Sequence, residues 1–545
     1  MSASIPFFRI SRWLVLLIGC VLLAGHLDSA PGEQAAESTP ADAPVIENEE
    51  RSTLLKRPRS IPIGVRQAIV MALGNNPSVA LEKLNPLIVK TLEEAERGSF
   101  DPTLFAESSL SRSRKLIDGQ RTDASRDNDR TSEDVSESAI GTLGAEIFLP
   151  TGTSIALSLD AERTIEKETT YGNFDDPILT TSALFDNEYS TRAGITISQA
   201  LLRGFSIEAN LAALKQARID TDISRYQLRG FIEEFVARVE NAYWNLALQQ
   251  RRVGIVEDGL RLAEQQFRET EETIKRGRLA GIELAKARAE VAQRRIELIE
   301  ALGDHNRARL QQLQLIQPEE SDFWELGVFA RDRLTVPDVK LDPVKEHVAV
   351  AHRMRNDLRE AVLRQERNEL EVTRTRNGVL PELDLFISMG TTGYARSFRR
   401  SFDAIDGRSH DYRVGFRFEY PLWNRVARAS HERAILQGET EKIAVQNLRQ
   451  LVELDVREAY IDVNNTRRRI EATNETRKLR GRILEAEMIS FRAGKSNNFL
   501  VAQAQRDFLQ SRLDENEAVV AYLQALVRLY QVDGSLLTRR KLEVQ

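Results

Sequence analysis

Few residues in this chain are spaced for chemistry. Gly494-Lys495-Ser496 ends like a phosphate-binding loop, in which backbone amides cradle phosphate and the lysine reaches it. The leading glycine of such a loop is here Ile489, and no strand precedes the motif, so it reads as a turn between helices. His347 and His352 stand five apart, off a common helix face, with no neighbouring Cys or His to complete a metal site. Neither a nucleophile elbow nor a zinc-protease pattern occurs. Carboxylates and arginines alternate along helical stretches as a solvated face does, instead of pairing for acid/base work. The expectation is a protein that is not an enzyme and uses no cofactor or metal. One residue is placed for modification: Leu17-Ile18-Gly19-Cys20 fits the apolar, small, Cys pattern of a lipoprotein cleavage site. The apolar run continues past Cys20, however, as in an ordinary signal segment.

The elements that must carry any function are long helices. From Phe205 to Gln317 the pattern is heptad-like and broken once, at Gly277. Apolar residues fall at Val256, Leu260, Ala263, Phe267 and Ile274, with Thr270 in the intervening slot, in the alternating steps of a coiled-coil seam. After Lys275-Arg276-Gly277-Arg278 the rhythm resumes at Ile282, Ala285, Ala289, Ala292, Ile296 and Ile299, then Leu310 and Leu313. This predicts a long antiparallel hairpin with those residues as its seam. The hairpin recurs: a shift of 217 positions carries Gly277 onto Gly494, Ala242-Tyr243 onto Ala459-Tyr460 and Ile282 onto Phe499. Upstream, Arg97 to Pro102 answers Arg376 to Pro381, so the chain is a duplicated helix, strand, helix unit.

The ends and composition set bounds. Trp13 to Gly25 is an apolar run shorter than the about 20 residues a membrane helix needs, and it follows a basic start. Residues 1–30 therefore read as a signal peptide and 31–60, rich in Pro, Ala, Ser and Glu, as a disordered linker. Repeat one is expected over 61–320, an inter-repeat linker over 321–340, repeat two over 341–538 and a short tail over 539–545. Cys20 is the single cysteine, so packing and not disulfides must hold the exported chain. With 76 basic and 82 acidic residues, interspersed, the net charge is −6, and nothing suggests a nucleic-acid partner.

Between the helices lie alternating runs. Leu104, Ala106, Ser108 and Leu110 alternate weakly, and the polar stretch Ser111 to Glu137 is expected to be a solvated loop. Leu143 to Leu149 and Ile155 to Leu159 flank Pro150-Thr151-Gly152-Thr153 and predict a hairpin; Thr191 to Ile197 predicts another strand. In repeat two, Leu383 to Met389 alternates, and Tyr412, Val414, Phe416, Phe418 and Tyr420 alternate with Arg413, Gly415, Arg417 and Glu419. An apolar face with tyrosines at both ends and charges opposite suits a lipid-facing barrel strand with a watery lumen. An edge strand of a soluble sheet has the same period. One protomer offers four to six strands, too few to close around a channel, so copies must share a barrel.

The chain resembles the TolC-type outer-membrane efflux protein family from about Ile61 to Leu537. The residues are Ala68 to Pro77, Ser198 to Gly204, Ala242-Tyr243-Trp244, Gly277 with the Ala285 to Ala292 run, Leu380 to Leu383, Tyr420-Pro421-Leu422, and Leu529 to Leu537 with Gly534. The resemblance implies a mainly α fold with a β-barrel portion: long antiparallel coiled-coil hairpins forming a trimeric α-barrel, and four strands per protomer forming a shared outer-membrane β-barrel. It further implies a homotrimeric exit duct of a tripartite efflux or type I secretion system, located in the cell outer membrane with helices extending into the periplasm. The partners would be a periplasmic adaptor protein, an inner-membrane pump and outer-membrane lipid. Gly277 and Gly494 would be adaptor-docking turns, with Lys275, Arg276, Arg278, Glu283, Lys495 and Gln503 around the periplasmic aperture. Threefold symmetry would bring like charges together there, so a closed mouth would need cross-pairing such as Glu283 with Arg278 or Lys495, or hydrogen bonds through Gln503.

Two departures from the family pattern stand out. Repeat one carries about 58 additional residues, from the fall in repeat offset between Pro102/Pro381 (279) and Gly194/Gly415 (221). These would either add a hairpin to the barrel, giving eighteen strands per trimer, or cap it from outside. Where family members often place acids six and nine positions after the second tip glycine, this chain has Leu500 and Gln503. The alternative reading is a non-conducting coiled-coil scaffold spanning the periplasm.

Overall fold

Ordered structure begins where the sequence turns periodic. The computed structural model describes residues 60–119, 130–171, 186–276, 281–319, 323–337 and 340–542. Expectations for the signal segment, Cys20, residues 31–59, Gly277 and Arg278 lie outside the described residues. In chain order the elements are β1 (Ser60–Ile63), α1 (Val65–Asn75), α2 (Pro77–Arg97), β2 (Thr103–Gly119), β3 (Arg130–Leu149), β4 (Thr153–Tyr171) and β5 (Asp186–Ala200). They continue with α3 (Ile207–Asn210), α4 (Ala212–Lys275), α5 (Ile282–Ile316), β6 (Gly327–Ala330), α6 (Val344–Met354), α7 (Asn356–Gly378) and β7 (Glu382–Ala395). Last come α8 (Phe398–Asp403), β8 (His410–Glu419), α9 (Arg425–Arg492), α10 (Asn498–Val532) and α11 (Leu536–Arg539).

Both long hairpins form, and their ends have local causes. α4 is 64 residues long and α9 is 68, about 100 Å each at 1.5 Å per residue. α9 stops because Gly494 adopts φ 73°, letting its N–H reach Phe491 O (2.9 Å) and that of Lys495 reach Ser490 O (2.9 Å). Asn497 then caps α10 by accepting from Leu500 N at 3.0 Å. α2 starts where Pro77 follows Asn76, whose side-chain Oδ1 accepts from Ser78 N at 2.9 Å. The Asn76 amide also donates to Leu315 O (3.0 Å), tying this turn to the end of α5.

The helices form a layer whose order explains an error in the predicted seam. Near the tips α4 packs between α5 and α10, and α10 packs on α9; nearer the sheet α4 packs between α2 and α7, and α7 packs on α9. The α4 seam points inward as expected, with Val256, Ala263 and Thr270 buried. On α5, however, Ile282, Ala285, Ala289, Ala292, Ile296 and Ile299 are exposed, while Val291, Arg294, Ala301, Ala308 and Leu313 are buried. A helix in a layer has two neighbours and needs two seams. Heptad spacing marks a seam without saying which neighbour it meets, and α5 is an edge helix whose second seam has no neighbour among the described residues.

The helices meet a two-stranded parallel sheet of β1 and β6, the latter inside the stretch expected to be only a linker. Tyr243 is fully buried beneath it and donates to Asp332 Oδ2 at 2.8 Å, and the same carboxylate accepts from Val65 N at 2.8 Å. That is the structural reason for the Ala242-Tyr243-Trp244 motif. Close by, Glu233 is buried, with Asn356 Nδ2 donating to one of its oxygens at 3.1 Å, and burial pushes its pKa up to about 7. A carboxyl whose folded pKa lies above its unfolded value binds more protons when folded, so its ionisation destabilises the fold as pH rises between about 4.5 and 7. Purified protein should therefore lose stability on the order of 3 kcal/mol across that window from this residue. Glu233→Gln should flatten thermal unfolding against pH there, and an unchanged profile would contradict the assignment.

All remaining strands join one antiparallel sheet in the order β2-β3-β4-β5-β7-β8. Six strands stand where the resemblance implied four. The additional residues of repeat one form the second strand of one hairpin and the first of the next, and they enter the sheet between β2 and β5. The expected loop Ser111 to Glu137 is corrected in the same way, since β2 runs to Gly119 and β3 starts at Arg130. Polar side chains concealed the strands, but backbone pairing does not require apolar ones. Ser111 pairs with Ser138 (2.7 Å between hydroxyls), and Arg112 meets Glu137 at 3.3 Å. The turn between β3 and β4 is held at the helix side of the sheet by Asn210, whose amide donates to Pro150 O (2.9 Å) and Gly204 O (2.6 Å). Gly152, at φ 76°, leaves room for the Gly204 carbonyl that any β-carbon would overlap.

Candidate functional site

Cross-strand register gives the six-stranded sheet two unlike faces. Leu104, Ala145, Leu157, Ile195, Met389 and Tyr412 are successive partners across all six strands, and Ile147, Ile155, Ile197, Ile387 and Val414 form the next rung. Partners in an antiparallel sheet share a face, so the alternating residues of every strand merge into one apolar belt. Phe416 and Phe418 extend it and are largely exposed in the protomer. Tyr420 does not belong to the strand: β8 ends at Glu419, and Tyr420 is half-buried at the turn toward α9.

The opposite face is polar and charged. One of its rungs is Glu107, Thr142, Asp160, Arg192 and Thr392. Arg192 on β5 reaches across β7 to Asp411 on β8, with Nη2 to Oδ2 at 2.6 Å and Nε to Oδ1 at 3.2 Å, a bidentate pair. Gly390 makes the crossing possible, because a β-carbon there would lie 2.6 Å from the guanidinium. Phe386 likewise lies over Gly415, and Phe105 over Gly144, where larger residues would collide. Sequence reasoning missed this pair. It joins the two repeats through the register of three strands, and no local signal encodes that.

The described residues that flank the two turns lie at one end of the helix layer. Asn498, just past the second turn, donates to Thr270 Oγ1 (3.0 Å) and accepts from Gln266 Nε2 (2.7 Å), both on α4 near the first turn. Around them Lys275 pairs with Glu271 (3.1 Å) and Arg276 with Glu272 (3.5 Å), each within its own helix. Glu283 pairs with Lys286 at 2.7 Å, not with Lys495, which is exposed like Gln503. A partner three residues away on the same helix is always within reach, which is why the local pair forms inside one protomer. The repeat-equivalent residues Ile282 and Phe499 are both more than half exposed beside these turns. The remaining chemical candidates are structural here: Ser496 Oγ donates to Glu487 at 2.8 Å, and His347 is buried against Asp533 at 2.8 Å.

A sequence profile of the outer membrane efflux proteins matches residues 154–316 and 349–535, one segment in each repeat. The chain belongs to that family. No curated protein matches this efflux protein. Among solved structures it is similar to CusC, described for its conformational changes on folding and transmembrane channel formation. That match has a TM-score of 0.62 and 15% identity over 87% of this chain and 92% of that one. It is also similar to the Campylobacter jejuni CmeC outer membrane channel (TM-score 0.60, 14% identity, 93% and 94% covered). A third is the open state of the Neisseria gonorrhoeae MtrE outer membrane channel (0.56, 18%, 87% and 89%). At these identities the likeness is one of fold. It covers helices and sheet together, so the efflux protein has the mainly α architecture with a β domain that its sequence implied.

Proposed function

We propose that three copies of this chain close into one passive exit duct, embedded in the outer membrane by a shared β-barrel and prolonged through the periplasm by the helices. The observation that carries this reading is that, among the described residues, the protomer is open along both edges. On one side β2 offers an unpaired strand edge, while α2 exposes Leu81, Leu84, Ile88 and Leu92 and α5 its Ile282 to Ile299 stripe. On the other, β8 is unpaired and α9 exposes Ile435, Ile443, Leu454, Leu479 and Ile483. Unpaired strand edges and apolar stripes of this length need partners. β2 and β8 run in opposite directions, so β8 of one copy can pair antiparallel with β2 of the next. Three copies give eighteen strands with the apolar belt toward lipid and the Arg192–Asp411 face toward water.

In this reading the turns form the periplasmic mouth, and the exposed Ile282 and Phe499 beside Gly277 and Gly494 offer a periplasmic adaptor an apolar footing. An inner-membrane pump supplies the energy in this reading. Threefold symmetry brings three copies of Glu283, Lys495 and Gln503 toward one axis. The mouth is held by exposed contacts worth about 0 to 1 kcal/mol each, which docking can release. Glu283→Lys puts a cation beside Lys286 in all three copies and should raise single-channel conductance of purified trimers without impairing assembly. Unchanged conductance in both Glu283→Lys and Gln503→Lys would remove these positions from the gate. A periplasmic scaffold has no use for a charged face opposite an apolar one, and absence of conductance in every variant would favour it.

A further inference from the structure

The chain between β7 and β8 does not simply arch over the end of the sheet. It folds back so that α8 lies on the apolar-belt face: Thr191 on β5 and Gly393 on β7 belong to that face by register, and both meet Ser401. The Thr191 hydroxyl donates to Ser401 Oγ at 2.7 Å, Ser401 Oγ donates to Phe398 O at 2.9 Å, and both Thr191 and Ser401 are buried. Only glycine fits at 393, since a β-carbon would overlap the Ser401 carbonyl. Phe398 packs edge-on against Tyr189 with centroids 4.7 Å apart. The contact sits two rungs beyond Met389 and Tyr412, on the side of the sheet away from the long helices.

This short helix carries an unbalanced charge. Arg396, Arg399 and Arg400 are exposed, and among the described residues none has a carboxylate partner. Nearby, Asp406 is taken by Arg408 at 3.1 Å, which leaves Asp403 as the exposed acid of the helix. Phe398 and Phe402, one helical turn apart, remain 44% and 57% exposed on either side of Ser401. Aromatic rings that keep one side apolar, set beside free guanidinium groups, are the composition of a segment lying in a membrane interface. Guanidinium is the side-chain group best matched to phosphate oxygens.

We propose that the outward face of α8 is a binding site for a phosphate-bearing lipid of the outer leaflet, with Arg396, Arg399 and Arg400 on the phosphates and Phe398 and Phe402 among the first acyl carbons. This rests on the lipid-facing assignment of the apolar belt. The location favours lipid over a soluble anion: the helix stands at the margin of the belt, on the face directed away from the charged lumen, and beside its arginines Phe402 and the outer side of Phe398 stay exposed.

The test uses purified full-length protein in phosphatidylcholine vesicles doped with bisphosphorylated lipid A, with dephosphorylated lipid A as the second arm, and native mass spectrometry to count retained lipid. Wild type should retain the phosphorylated lipid and not the dephosphorylated one. The triple variant Arg396→Gln, Arg399→Gln, Arg400→Gln should weaken retention by about tenfold to a hundredfold, and the triple Lys variant should recover part of it. Oligomeric state and conductance should be unchanged in both. Equal retention of the two lipids, equal retention by the Gln variant, or displacement of the lipid by millimolar inorganic phosphate alone would overturn the proposal. Failure of the wild type to enter vesicles at all would instead contradict the barrel reading on which it rests.

Discussion

Replacing Ile296 and Ile299 together by Asp is expected to leave the chain folded but monomeric. Both residues lie on the exposed stripe of α5, away from α4, so the protomer's own packing does not use them. Against α9 of a second copy each would bury its side chain, for about 1.5–3 kcal/mol apiece. Counted over three equivalent interfaces the loss is on the order of 10 kcal/mol before the cost of trapping carboxylates is added. Circular dichroism should retain the helical signal, while native mass spectrometry shows one chain where the parent shows three. A trimer of undiminished stability would mean that α5 does not face a neighbouring copy. The charge-conserving control is Glu300→Asp, on the same helix and exposed, which should leave assembly alone.

The second large effect concerns β8. Phe416 and Phe418 share a face with Leu385 and Leu383 on β7, within the apolar belt, and Arg417 points to the opposite face with Asp384. Phe416→Arg or Phe418→Arg should cost about 2–4 kcal/mol near the bilayer midplane and less toward an interface. Arg417→Ser should be tolerated and alter only conductance or ion preference. Refolding into lipid, read as the heat-resistant oligomer on gels across a urea series, measures the difference. Equal tolerance at all three positions would contradict a membrane strand.

How much of this was legible beforehand depended on whether a local rule or a distant partner set each feature. Gly494, Asn76-Pro77 and the strict alternation of Tyr412 to Phe418 announce a turn, a helix start and a strand, because φ, capping and a two-residue period act within a few positions. The β2–β3 pairing beyond Ser111 is hidden in the sequence, since its residues are mostly polar and lack the apolar alternation that marks a half-buried strand. In the sequence the α5 stripe reads as the hairpin's own seam, because a heptad states that a partner exists and not which one. The Arg192–Asp411 bridge and the fold-back of α8 depend on register between repeats, separated by some two hundred residues, and on glycines at 390 and 393 whose purpose appears only once the neighbouring strand is in place.

The most direct test of the central claim is an electron cryomicroscopy map of the purified protein in lipid nanodiscs. The account predicts a threefold particle whose membrane part is an eighteen-stranded barrel, with β8 of each copy paired to β2 of the next, Phe416 and Phe418 toward lipid and the Arg192–Asp411 pair in the lumen. A monomer, a barrel from which β3 and β4 are excluded, or a closed ring with the charged face toward lipid would contradict it.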